Sequence, residues 1–274
     1  MKSEAAAGLR GVRREGPGLL CRDLTVAYDG AKAPVIDRLS FALPAGASLA
    51  IVGASGCGKS TLLTVLAGLR AAEAGSVDWT LHGEKTRLSA LRSSFVWQQL
   101  GLFPWKRVKD NLALPFELDG RGLTEENAGK VADMLAELKL TGLETRFPSE
   151  LSGGQRQRLA LGRALIVRPD VVFMDEPFSA LDAMLRERLQ DFLAGLRRAH
   201  PCSVILVTHD IGEAAVLGSH ILVLAANPAR RLDFFENPAF SLEAGRADRE
   251  HPAFYDVVKR IHAALKAGSE GDEA

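Results

Sequence analysis

One short segment limits what this chain can fold into more than any other feature: the sequence GASGCGKST at residues 53–61. It follows an apolar run at 49–52 and precedes a run of helical spacing at 62–69, which predicts a strand, a loop and a helix in that order. The segment fits GxxxxGK[ST], whose backbone N–H groups cradle phosphate oxygens. Average residue usage gives a chance match in only about one chain in a hundred of this length. The sequence therefore predicts a phosphate-binding loop rather than a glycine-rich turn that binds nothing.

The residue types of this loop each have a physical reason to be there. Glycines allow the backbone to approach phosphate closely, and a helix N-terminus favours an anion. Lys59 is predicted to place its charge at the β- and γ-phosphates, and Ser60 to offer a hydroxyl to Mg²⁺. All nine residues are predicted to bind nucleotide: Gly53, Ala54, Ser55, Gly56, Cys57, Gly58, Lys59, Ser60 and Thr61.

Two adjacent acids, Asp175 and Glu176, end the apolar run at 171–174. Side chains at the carboxyl ends of parallel strands project into the ligand crevice of an α/β fold. Asp175 is therefore predicted to hold Mg²⁺, directly or through water, and Glu176 to act as general base toward the attacking water. An isolated acidic pair is more often a solvated turn. The phosphate loop in the same chain favours the catalytic interpretation.

The apolar runs also predict the fold class. Those at 49–52, 171–174 and 204–208 are nearly continuous, as in parallel strands that helices cover on both faces. Helical spacing at 182–199 predicts one of the covering helices. The prediction is an α/β fold, with a P-loop NTPase core of mainly parallel sheet, an N-terminal antiparallel β subdomain and an inserted helical subdomain at about 99–165.

The predicted domain bounds follow from shifts in composition. Residues 1–17 are rich in Ala, Gly and charge and predict a flexible tail. The ATPase domain is predicted at 18–245. Apolar residues at helical spacing after 246, followed by a polar end, predict a C-terminal helix and tail at 246–274, with the helix packed on the core or on a partner.

Charge and hydropathy exclude several classes of function. Lys plus Arg equals Asp plus Glu, at 34 each, so no overall field draws the chain to nucleic acid, and none is predicted as a partner. The apolar runs are shorter than the roughly 20 residues that cross a bilayer, and the N-terminus has no apolar h-region, which predicts a cytoplasmic location. The three cysteines have no metal-ligand spacing and are interpreted as reduced thiols.

A second glycine-containing motif identifies a family. The sequence LSGGQ at 151–155, followed by RQR, resembles the signature of the ABC ATPases. Ser152 with Gly153 and Gly154 at the head of a helix could form a second anion-binding N-terminus, or could be an ordinary helix cap. The resemblance implies ATP and Mg²⁺ as ligands, and a head-to-tail dimer in which each ATP lies between one phosphate loop and the Ser152, Gly153, Gly154 and Gln155 of a second copy.

Further family motifs occur in order along the chain. The resemblance implies that Tyr28 stacks on adenine, although a plain strand aromatic is the alternative. It implies that Gln98, chosen over Gln99 by the register of the following residues, contacts Mg²⁺ or the attacking water and links the site to a membrane partner. It also implies that Asp182 reaches across the dimer, and that His209 contacts the γ-phosphate.

The importer group is indicated by the sequence after Gln98. LFPW at 102–105, the run at 108–115 and NPAR at 227–230 resemble ATPases that import nitrate, sulfonates, taurine or pyrimidine precursors. The resemblance implies an ATP-hydrolysing subunit held at the cytoplasmic face of the membrane by permease subunits, and working indirectly with a periplasmic or lipoprotein solute-binding protein. An exporter ATPase and a non-transport ABC ATPase are the alternatives. Trp105 is interpreted either as a permease contact or as a core anchor of the helical subdomain.

Overall fold

The computed structural model describes residues 16–271 except 29, 31, 32, 119, 121, 123, 180, 200, 201, 226 and 227. Most of the tail predicted at 1–17, and residues 272–274, lie outside the described residues. The strands are β1 (Gly18–Val26), β2 (Ile36–Leu43), β3 (Ser48–Gly53), β4 (Ala74–Leu81), β5 (Glu84–Thr86), β6 (Ser93–Val96), β7 (Val171–Asp175), β8 (Ser203–Thr208), β9 (His220–Leu224), β10 (Arg231–Glu236), β11 (Phe240–Ser241) and β12 (Arg246–Ala247). The α-helices are α1 (Lys59–Leu66), α2 (Val108–Leu118), α3 (Glu125–Glu137), α4 (Gly153–Leu165), α5 (Ala183–Ala199), α6 (Ile211–Leu217) and α7 (Pro252–Gly271).

The central sheet has six strands in the order β10-β9-β3-β8-β7-β6. Strands β9, β3, β8, β7 and β6 run parallel, and β10 pairs antiparallel with β9 at one edge. The predicted mainly parallel sheet is confirmed, and β6 and β9 extend it beyond the three strands predicted. Because β3, β8 and β7 are neighbours, the loops that follow them meet at the same edge of the sheet.

A second sheet is antiparallel, in the order β2-β1-β4-β5. The pairing of β1 with β2 confirms the predicted antiparallel unit. Strand β4 was not predicted, because most of its residues are exposed or half-buried and it lacks a continuous apolar run. Gly75 in β4 has φ 87°, and a Cβ there would lie 2.5 Å from the carbonyl oxygen of Asp23. Glycine is therefore required where β4 crosses β1.

Three buried apolar clusters hold the layers together. The first lies between the two sheets and includes α1, the second joins the other face of the central sheet to α4, α5, α6 and α7, and the third joins α2, α3 and α4. Helix α4 contributes Leu159 to the third cluster and Leu161 and Leu165 to the second. The layer of α2 and α3 is therefore attached to the sheet through α4.

Helix α7 packs on the core. Val257 and Ile261 are buried in the second cluster, as expected for a helix packed on the core. The helix runs to Gly271, so part of the predicted polar end is helical. In the part of the chain that the structure describes, no helix combines the length and the apolar character needed to cross a membrane.

Candidate active site

The predicted phosphate loop connects β3 to α1. Helix α1 begins at Lys59 and ends at Leu66, three residues earlier at each end than the predicted 62–69. Gly58 precedes it with φ 98°, and Gly68 follows it with φ 67°. These left-handed residues set the ends of the helix, because glycine adopts such angles without steric cost. The free N–H groups of the first turn of α1 therefore lie at the loop, where an anion is favoured.

Lys59 is drawn into the loop. Its side chain is only 5% exposed. Its Nζ donates to the carbonyl oxygen of Gly53 at 2.9 Å and to that of Ala54 at 2.8 Å. An ammonium has three N–H donors, so one donor is left for a phosphate oxygen. The carbonyl oxygens of the loop therefore hold the ammonium group in position.

Tyr28 lies beside the same loop. Its hydroxyl and that of Thr61 are 2.9 Å apart, and its ring is 46% exposed. The guanidinium carbon of Arg70 lies 3.9 Å from the ring centroid, and Arg70 Nη2 donates to the carbonyl oxygen of Ala27 at 3.0 Å. Arg70, which lies outside every motif identified in the sequence, holds the ring by a cation–π contact.

Two of the three residues predicted to hold Mg²⁺ are in contact. Ser60 Oγ donates to Asp175 Oδ1 at 2.9 Å. Burial is the main reason that the pKa of Asp175 is raised, and the neighbouring Glu176 charge adds to it, while Ser60 and Lys59 oppose it. A hydroxyl and a carboxylate are the hard oxygen ligands that suit Mg²⁺. Among the described residues, no three His, Cys, Asp or Glu side chains form a cage for a metal, so phosphate and water oxygens would have to complete the coordination.

Glu176 lies between the other two residues predicted to be catalytic. Gln98 Nε2 donates to its Oε2 at 3.4 Å, and His209 Nδ1 lies 3.1 Å from the same oxygen. The backbone of Glu176 is left-handed, with φ 44°, and its N–H donates to the carbonyl oxygen of Val207 at 2.9 Å. Residues that follow β6, β7 and β8 are thus brought together at one carboxylate.

The signature motif forms the start of α4. Ser152 Oγ accepts from the N–H of Gln155 at 3.3 Å, and Gln155 Oε1 accepts from the N–H of Ser152 at 2.8 Å, which is a capping box. A Cβ on Gly154 would lie 2.9 Å from Leu185 Cδ1 on α5. Gly153 lines a cavity of about 270 Å³ with Gln98 and Glu176. Among the described residues, neither Ser152 nor Gln155 hydrogen-bonds the phosphate loop.

Asp182 lies at the start of α5. It is exposed, and its Oδ1 accepts from the N–H of Leu185 at 3.0 Å. Within one chain it therefore caps a helix. Its predicted contact with a second copy stays a prediction.

Comparisons with known proteins found a matching family model, similar proteins and a similar solved structure. The family model described as ABC transporter matches residues 36–179. A taurine import ATP-binding protein of Mesorhizobium japonicum is 39% identical over 258 residues, covering 92% of this chain and 98% of the relative. An aliphatic sulfonates import ATP-binding protein of Bacillus subtilis is 39% identical over 209 residues, covering 76% and 80%. A solved dimeric ATP-binding cassette in a post-hydrolysis state, bound to ADP and Pi, matches with a TM-score of 0.68 at 27% identity, covering 81% of this chain and all of that one.

Proposed function

Because this chain belongs to the ABC transporter family, we propose that its ATP hydrolysis drives import of a small organic sulfonate through a separate membrane permease. Binding and hydrolysis of ATP are the activity of the family. The solute is proposed from the names of the relatives, which are import ATP-binding proteins for taurine and for aliphatic sulfonates. Nitrate and pyrimidine precursors are the other solutes of the group that the sequence resembles.

The observation that carries the proposal is the position of Glu176 between Gln98 and His209, one residue after Asp175. Glu176 would accept the proton of a water whose oxygen forms the new bond to the γ-phosphorus while the bond to the ADP oxygen breaks. Gln98 would orient that water, and His209 would contact the γ-phosphate.

The phosphate loop would bind the β- and γ-phosphates through its backbone N–H groups and Lys59, with Tyr28 stacked on the adenine. Ser60 and Asp175, with Gln98, would hold Mg²⁺, which when bound neutralises phosphate charge. In the described structure Asp175 already accepts a hydrogen bond from Ser60, so these side chains need little rearrangement.

A second copy of the chain is proposed to complete each site. Ser152, Gly153, Gly154 and Gln155 head a helix that makes no hydrogen bond to the phosphate loop of the same chain, among the described residues. In a head-to-tail dimer they would contact the ATP held by the other copy, and Asp182 would reach across. The relative that forms a dimer with ADP and Pi supports this arrangement.

The permease contact is proposed at the segment after Gln98. Trp105 is 70% exposed, and Leu118 at the end of α2 is also exposed. Exposed aromatic side chains are enriched in interface hot spots. This contact would hold the chain at the cytoplasmic face of the membrane and connect it, through the permease, with an external solute-binding protein.

Growth on a single sulfur source tests the proposal. The chromosomal gene is replaced by wild type or by Glu176→Gln, and cells are grown with taurine or an alkanesulfonate as the sole sulfur source. Wild type should grow, the variant should not, and both should grow on sulfate. Growth of the variant on both sulfonates would reject the proposed solute class. If no membrane protein copurifies with the tagged chain from a detergent extract, a non-transport ATPase would instead be favoured.

A further inference from the structure

We propose that Arg186 is a positioning residue that ties the segment at Leu181 and Asp182 to the loop of His209, and so aligns His209 with Glu176 for hydrolysis. This inference rests on the proposed roles of His209 and Glu176 and concerns a residue for which no sequence motif gave a role. It is carried by the hydrogen bonds of Arg186 and by the network on the far side of His209.

Arg186 contacts both segments with one guanidinium. Its Nη1 pairs with the carboxylate of Asp210, and its Nη2 donates to the carbonyl oxygen of Leu181 at 3.2 Å. Leu181 precedes Asp182, the residue proposed to reach the second copy, and Asp210 follows His209 directly. The planar fork of arginine holds two acceptors in fixed geometry, which a lysine cannot reproduce.

Asp210 hydrogen-bonds residues that lie before and after His209 in the chain. Its Oδ1 accepts from the N–H of Glu213 at 2.9 Å, which caps α6. Its own N–H donates to Thr208 Oγ1 at 3.0 Å. Thr208 and Asp210 are the residues on either side of His209. Because they hydrogen-bond each other and Arg186 contacts Asp210, the backbone is held on both sides of the imidazole.

Glu213 completes the network beneath the loop. Thr208 Oγ1 donates to its Oε2 at 2.8 Å, and the side chain is 3% exposed. Burial is the main reason that the pKa of Glu213 is raised to about 8; the hydrogen bond from Thr208 and the charge of Arg186 oppose the rise, and the charges of Asp210 and Glu176 contribute to it. At neutral pH Glu213 is therefore mostly uncharged and does not compete with Asp210 for the charge of Arg186.

The network is not optimised for stability. Arg186 Nε and Glu213 Oε1 are buried and, among the residues that the structure describes, have no hydrogen-bond partner. Such atoms cost free energy, and buried polar groups in folded proteins are usually satisfied. A side chain present only to stabilise α5 would be expected to satisfy its donors, which favours a role in alignment. When a second copy moves the segment of Leu181, the same guanidinium would move Asp210.

The test compares Arg186→Gln with Arg188→Gln, which removes an exposed charge from the same helix. Turnover, KM, affinity for a fluorescent ATP analogue and melting temperature are measured. Arg186→Gln should lower kcat about ten- to hundredfold, as expected for misplaced catalytic groups, with ATP affinity unchanged within about twofold, since Arg186 does not contact the phosphate loop. Equal kcat in the two variants would overturn the proposal.

A double-mutant cycle separates alignment from folding. Asp210→Asn keeps the cap of α6 and removes the charge that Arg186 contacts. Arg186→Gln should cause little further loss of kcat in that background, and additive losses would overturn the inference. If Arg186→Gln does not fold, Arg186→Lys is used, and wild-type kcat in that variant would show that the fork is not needed. His209→Ala separates the proposed role of His209 from that of Arg186. If His209→Ala retains wild-type turnover, the proposed function of His209 fails. If His209→Ala loses turnover and Arg186→Gln does not, only the role of Arg186 is rejected.

Discussion

His209 Nδ1 lies 3.1 Å from Glu176 Oε2, so the imidazole and the carboxylate share one hydrogen-bonding position. Glu176→Gln preserves the size of this side chain but removes its ability to accept a proton. We expect hydrolysis to fall by roughly a hundred- to ten-thousandfold, as for loss of a general base, with ATP binding retained and a dimer trapped. ATPase rates and gel filtration with ATP test this, with the exposed Glu243→Gln as control. Turnover within about twofold of wild type would remove Glu176 from the mechanism.

Lys59→Ala should abolish binding of ATP or its hydrolysis. The substitution removes the cation whose Nζ lies against the carbonyl oxygens of Gly53 and Ala54, and it leaves the loop backbone in place. Titration with a fluorescent nucleotide measures the effect, and Lys259→Ala removes an exposed lysine as the matched control. If affinity and turnover were both unchanged, the loop would be a turn without a role in binding.

Trp105→Ala should leave the isolated chain folded and its basal ATPase near normal, while assembly with the permease or transport fails. The indole is 70% exposed and makes an edge contact with Phe103 at 5.3 Å between ring centroids, so little core packing is lost. This exposure argues against the core-anchor interpretation. Tyr255→Ala, at a residue of α7 that is 66% exposed, is the control. Intact assembly and transport in Trp105→Ala, or a large fall in its melting temperature, would contradict the interface role.

Glu213→Gln should change the pH dependence of folding stability. The carboxyl has a pKa of about 8 in the folded chain and an ordinary value near 4.5 when unfolded. Between these values the folded chain keeps a proton that the unfolded chain has lost. The free energy of unfolding of wild type therefore falls as pH rises through this window, by up to about 1.4 kcal/mol per pH unit.

Glutamine does not titrate, so the stability of Glu213→Gln relative to wild type should increase from pH 5 to pH 8 and then level off. Urea denaturation at pH 5.5, 7 and 8.5 measures the difference. Parallel curves for the two proteins would show that Glu213 has an ordinary pKa in the folded state.

Much of the fold could be predicted because the signals were local. The glycine pattern at 53–61 and the continuous apolar runs at 171–174 and 204–208 each specify one strand and its loop. The order of those strands in the sheet depends on contacts between segments that are far apart in the chain. Local patterns in a single sequence do not reveal such contacts. Neighbouring β3, β8 and β7 bring Ser60 to Asp175 and His209 to Glu176.

Other features had no local pattern from which to predict them. Strand β4 lacks an apolar run, and α1 begins at Lys59, inside the glycine motif, directly after the left-handed Gly58. The contact of Arg186 with Asp210 joins residues 24 apart in sequence, on different elements. The roles predicted for the site residues, Tyr28 and Asp182 among them, and the domain bounds at 17 and 245 stay predictions.

The left-handed backbone of Glu176 has a consequence for how this enzyme can be improved. A residue other than glycine in this conformation costs roughly 1–2 kcal/mol, and here φ is 44° at the one carboxylate proposed to activate water. Replacement by glycine would relieve that strain and remove the carboxylate. A variant library screened only for heat resistance would therefore be enriched in inactive proteins at this position, so a screen for thermostability must be paired with selection for turnover.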